Sequence, residues 1–219
     1  MRLGLKNILM VVFYRVRIKF NLHPVCKLYS SIPEAPFFVS SNLPALTLPG
    51  CSNWLNNSSI FSYFKVPLGA KVPNWLENPL TGEKLNNPLI PWWKIGDFDS
   101  TVGDIKLIWE YSRMEWVIIF AQRARNGDKN SLNRLNEWIR DWLEKNPAYL
   151  GHNWKCGQEA SIRVIHLSCA ALILGQHIDS SLGLRQLIKL HLKRIEPTLG
   201  YSIAQNNNHG TSEAAALFI

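Results

Sequence analysis

The sequence predicts an all-α fold: an incomplete α/α toroid of helical hairpins, preceded by a basic N-terminal helix and an irregular segment rich in proline and aromatic residues. Two observations carry this expectation. From residue 104 onward, helix-starting residues recur about every 26 positions, so helices and their connections are of similar length, as in a solenoid or toroid of helical hairpins. The helices also alternate in character, one striped with apolar residues and the next apolar nearly all round, as outer and inner layers would be.

The chain has 219 residues, 47% hydrophobic and 18% charged, which is too apolar for disorder and ample for a core. Its formal charge of +8 is uneven. Residues 1–33 hold Arg2, Lys6, Arg15, Arg17, Lys19 and Lys27 and no acid, so the remainder is close to balanced and nucleic acid is not the expected partner. Residues 1–22 form the basic segment. Its apolar run from Ile8 to Tyr14 is followed at once by Arg15, Arg17 and Lys19, with no small-residue cleavage site. The segment therefore reads as an amphipathic helix against the fold or, weakly through residues 1–20, against a membrane surface, rather than as a signal peptide.

Residues 23–103 carry turn signals at Pro33, Pro36, Pro67, Pro73, Pro79, Pro88 and Pro91, and are expected to wrap the domain, with short helices near Trp54 and Trp75. Residues 104–219 form the partial toroid. Asp104 opens a helix to Asn126, stopped by Gly127. Ser131 opens a second, ended by Pro147; a third runs from Cys156 to Gly175, a fourth from Ser181 to Ile195, and a fifth starts near Thr211. On the outer helices, Arg140, Lys145, Lys189 and Arg194 are expected in solvent. The cysteines, Cys26, Cys51, Cys156 and Cys169, have no metal-type spacing and are expected to be buried free thiols.

Polar groups on inner helices are the candidates for chemistry: Trp109, Glu110 and Arg113 on the first, and Glu159, Arg163 and His166 on the third. Glu110 with Arg113 and Glu159 with Arg163 also have the spacing of internal ion pairs. The loop Tyr149 to Lys155 adds exposed-looking groups, among them Asn153 and Trp154. The run from Gln205 to Glu213 concentrates three asparagines and His209 before an apolar helix, amide and imidazole donors suited to a carboxylate. His209 and Glu213 lack a second histidine at ligand spacing, so neither a metal nor another cofactor is expected.

Three stretches, Asp104 to Arg113, Asn153 to Arg163 and Asn206 to Ala214, in this order and separation resemble the N-terminal domain of heparinase II/III-like polysaccharide lyases, a family that includes alginate lyases. The similarity spans roughly residues 60–219. It implies an α/α toroid followed by a β-sandwich, cleavage of uronate polysaccharides by β-elimination, and work in a bacterial envelope or periplasm, with the cytoplasm left open by the missing signal peptide. By the same resemblance Asn208 and His209 face the uronate carboxylate as catalytic donors. Trp109, Glu110, Arg113, Asn153, Trp154, Glu159 and Arg163 line or support the cleft. The family's catalytic tyrosine and its sandwich correspond to nothing in these 219 residues. The expectation is a truncated lyase, weakly active or inactive unless complemented by a C-terminal fragment. The alternative is a helical scaffold, or a module that binds acidic polysaccharide without cutting it.

Overall fold

The computed structural model describes residues 4–45, 57–61, 63–69, 71–87 and 89–219. Cys51, Trp54 and Pro88 lie outside them. Helix-capping chemistry sets most boundaries. The helix expected to open at Ser131 starts earlier, because the Asp128 carboxylate takes the cap, accepting from the amides of Asn130 and Ser131 at 3.0 and 3.2 Å, and opens α4 (Lys129–Lys145). Ser181 accepts from the Leu184 amide and opens α6 (Leu182–Ile195). Gly175, at φ 71°, ends the central α5 (Gly157–Leu174) in the left-handed conformation that glycine adopts without penalty.

The described chain is predominantly helical. α1 (Leu5–Lys19) is followed by two short antiparallel pairs that the sequence did not announce, β1 (Asn57–Ile60) with β2 (Phe64–Pro67) and β3 (Phe98–Asp99) with β4 (Gly103–Asp104). Around Trp75 the chain turns without forming a helix. The expected first helix is two: α2 (Lys106–Ser112) and α3 (Glu115–Arg125), broken at Met114, which is buried with φ 63°. The break leaves the Arg113 carbonyl free to accept from His166 Nδ1 at 2.7 Å. After α6 come α7 (Leu199–Ala204) and α8 (Asn208–Phe218). α8 starts one turn before Thr211 because Asn207 takes the cap, accepting from the His209 amide. Among the described residues no helix is long and apolar enough to cross a membrane.

Helix α5 is the hub, packed against α3, α6 and α8, while α3 also packs on α4. The irregular segment belongs to the same core. Val25, Phe37, Phe38, Trp75 and Trp92 join one apolar cluster with the helices, and Trp75 stands beside Trp116 and Trp138. Two devices hold the segment. Asn136 on α4 accepts from the Phe37 and Phe38 amides, at 2.7 and 3.0 Å, and donates to the Phe38 carbonyl. Gly183 on α6 lies directly beneath the Glu34 and Pro36 carbonyls, where a Cβ would collide with backbone.

Asn136→Ala should therefore lower unfolding free energy by about 1–3 kcal/mol, the usual cost of stranding buried polar partners, as read from urea denaturation. Gly183→Ala should destabilise in the same assay, because backbone must shift to admit the methyl group.

Candidate functional site

A cavity of about 480 Å³ opens where α1, α2, α5, α6, α7 and α8 approach one another. α2 contributes Trp109 and Arg113. The first turn of α5 contributes Glu159, with Cys156 just before it, and α8 contributes His209 and Glu213. Trp92, Trp93, Tyr14 and Tyr201 supply aromatic surface, with Tyr14 stacked on Tyr201 at 4.0 Å.

The polar groups of this wall are mutually braced. Arg113 forks onto Glu159, with Nε to Oε2 at 2.8 Å and a terminal nitrogen to Oε1 at 3.0 Å, and its other terminal nitrogen pairs with Glu110. The expected Glu159 to Arg163 pair does not form, because Arg113 offers Glu159 a two-point fork from the neighbouring helix. Trp109 is fixed by its indole donating to the His152 carbonyl at 2.9 Å. His209 Nδ1 lies 4.0 Å from Cys156 Sγ. Burial holds the His209 imidazole below its ordinary pKa, with Glu159 opposing, and burial pushes the Cys156 thiol up.

Glu213, only 1% exposed, presents one carboxyl oxygen, Oε2, without a hydrogen-bond partner. Its carboxyl occupies the space over Gly157 that any larger residue would fill. Burial raises its pKa, against the lowering effects of Ser202 and Arg194. Among the described residues no group of three His, Cys, Asp or Glu could hold a metal ion.

Of the nine sequence candidates, Trp109, Arg113, Glu159 and His209 share the cavity wall. Glu110 does not line the cavity; it pairs with Arg113 and accepts from the Phe61 amide at 2.9 Å. Asn208 is exposed at the start of α8, and its carbonyl accepts from Ser212. The loop expected to be exposed is buried instead, since Tyr149, His152, Asn153 and Trp154 are all at most 3% exposed. Asn153 donates to the Trp75 carbonyl and to Asn146, and the Trp154 indole donates to the Asn146 carbonyl. Arg163 is fully buried, stacked on Trp142 and Trp154, donating to the Asn153 carbonyl and to His191 Nε2. Desolvation lowers its pKa to about 10.

Arg194 corrects another expectation. It is 2% exposed rather than solvated, because the end of α6 meets the carbonyls of Trp154 and Lys155 and the face of Trp92. Tyr14, Trp92, Tyr201 and Glu213 were not singled out for the site. Only Glu213, four residues after His209 on one helix face, left a local signal. No family model, no curated protein and no solved structure matches the chain.

His191 accepts from Arg163, so it must be neutral; burial and Arg163 lower its pKa from 6.5 to about 3. A depressed folded-state pKa contributes stability that is complete above 6.5 and is lost as pH falls toward about 3. Urea midpoints should drop between neutral and acid pH, and His191→Gln should flatten that decline. His23, His152 and His209, lowered in the same direction, keep part of the slope.

Proposed function

We propose that the cavity holds a uronate unit of an acidic polysaccharide and that the chain is the toroid portion of a β-eliminating polysaccharide lyase, its helices forming part of an α/α toroid. One observation supports this reading above the others. Trp109, Arg113, Glu159 and His209, drawn from three separated sequence motifs, meet at a single aromatic-walled cavity.

The chemistry asks for donors at the uronate carboxylate. In β-elimination the C5 proton leaves to a base, its electron pair forms the C4–C5 double bond, and the C4 oxygen departs with a proton. The C5 proton becomes acidic enough only when the carboxylate charge is compensated. His209, neutral near pH 7, donates through one ring nitrogen and accepts through the other. Arg15 lines the cavity beside Lys106 and Lys155, which pair with Asp104 and Asp97, and this side favours an anion, while the partly exposed Trp93 provides a stacking face for a sugar ring. Asn208, at the exposed start of α8, meets a polymer only where it leaves the cavity. Trp154, Asn153 and Arg163 act behind the wall, as its support.

A second reading is binding without cleavage, since much of the wall's charge is held in internal pairs, Arg113 with Glu110 and Glu159 and Lys155 with Asp97.

Calorimetric titration with oligouronates and with a neutral glucan oligomer of equal length separates these readings from a plain scaffold. The acidic oligomer should bind and the neutral one should not. His209→Ala should weaken binding by about tenfold or more, the loss of one hydrogen bond to a charged group. Absence of binding to any oligouronate refutes both readings. Release of unsaturated uronate ends, followed by their ultraviolet absorbance, distinguishes cleavage from binding alone.

A further inference from the structure

Helix α1 has four sides rather than two. Asn7, Val11, Tyr14 and Ile18 share the less exposed side, the one on which Tyr14 stacks against Tyr201. The opposite side is apolar and uncovered: Leu5, Leu9, Val12, Phe13, Val16 and Phe20 follow one another at helical spacing, with Leu5 74% and Phe13 63% exposed. Basic edges separate these sides. Helical geometry puts Arg15 and Lys19 along one edge and Lys6 and Arg17 along the other, and no acid precedes Glu34.

A continuous apolar stripe on a helix already attached by its opposite side marks a surface for a partner. The edges select that partner. Two copies joined stripe to stripe would set cations against cations. A nucleic acid would use the cations but leave the stripe in water. An anionic bilayer satisfies both, since apolar side chains enter the acyl boundary while lysine and arginine stems reach outward to headgroup phosphates.

We propose that α1 is an interfacial helix that docks this domain on an anionic lipid surface, with the Leu5-to-Phe20 stripe immersed and Lys6, Arg15, Arg17 and Lys19 at the headgroups. Tyr14, Arg15 and Ile18 also line the cavity, so docking sets the cavity beside the lipid.

Co-sedimentation of the full chain with phosphatidylcholine vesicles, with and without phosphatidylglycerol, tests this. The chain should pellet with the anionic vesicles only, and rising salt should release it. Leu9→Asp with Phe13→Asp should abolish binding. Lys6→Gln with Lys19→Gln should weaken it by at least about tenfold, from two lost headgroup attractions. All four positions are exposed, so unchanged far-ultraviolet circular dichroism is expected and keeps the comparison valid. Equal binding to neutral vesicles, or binding untouched by the aspartates, overturns the proposal. So does a dimer in light scattering that the aspartates convert to monomer in a chain that ignores vesicles, which would give the stripe to a second copy.

Discussion

Two buried guanidiniums need acceptors, and the backbone between α4 and α5 is arranged to supply them. Arg163 takes the carbonyl of Asn153, and Arg194 takes those of Trp154 and Lys155, so three consecutive residues are turned toward cations. Neither arginine has a carboxylate partner among the described ion pairs. Burying a charge without compensation costs several kcal/mol, so this turn has little freedom to relax. Trp142 and Trp154 cover Arg163, Trp92 covers Arg194, and the neutral ring of His191 completes the set. The cluster joins the irregular N-terminal segment, α5 and α6 in one polar network within an apolar core.

The cavity is a consequence of that network. The turn it fixes delivers Cys156, Gly157 and Glu159 to the wall, and Arg113 then locks Glu159 to the end of α2. The break at Met114 lies one residue beyond the Arg113 fork, and the Arg113 carbonyl accepts from His166. His209 and Glu213 reach the same space from α8, which packs on α5. The result is a wall whose charges are mostly paired internally, with His209 at its surface and the Glu213 Oε2 atom buried behind it without a hydrogen-bond partner.

Local chemistry was legible in the sequence wherever one residue decides it. Gly127, Gly175 and Ser181 mark helix ends that the fold respects, and the apolar stripe of α4 from Leu135 to Leu143 is its buried face, although α4 opens at Asp128 rather than at Ser131. What escaped depends on tertiary partners. Met114 breaks a continuous helical pattern by taking a left-handed conformation, and nothing in Arg113-Met114-Glu115 announces it. Arg194 reads as solvated on its own helix and is buried because carbonyls from another segment come to it. The Tyr149-to-Lys155 loop looks polar yet is enclosed, since Asn146, Trp75 and two arginines satisfy it. For the candidate site, the motifs located four wall residues, whereas Tyr14 and Trp92 come from segments whose placement no local pattern encodes.

The central claim is that three distant motifs converge on one cavity that receives an acidic sugar. A crystal structure of the chain with a bound oligouronate tests it most directly. The account predicts a carboxylate within hydrogen-bond distance of His209 and a sugar ring against Trp93. Sugar seated instead beside Asp141 and Lys145, in the separate groove near Trp75, would contradict it.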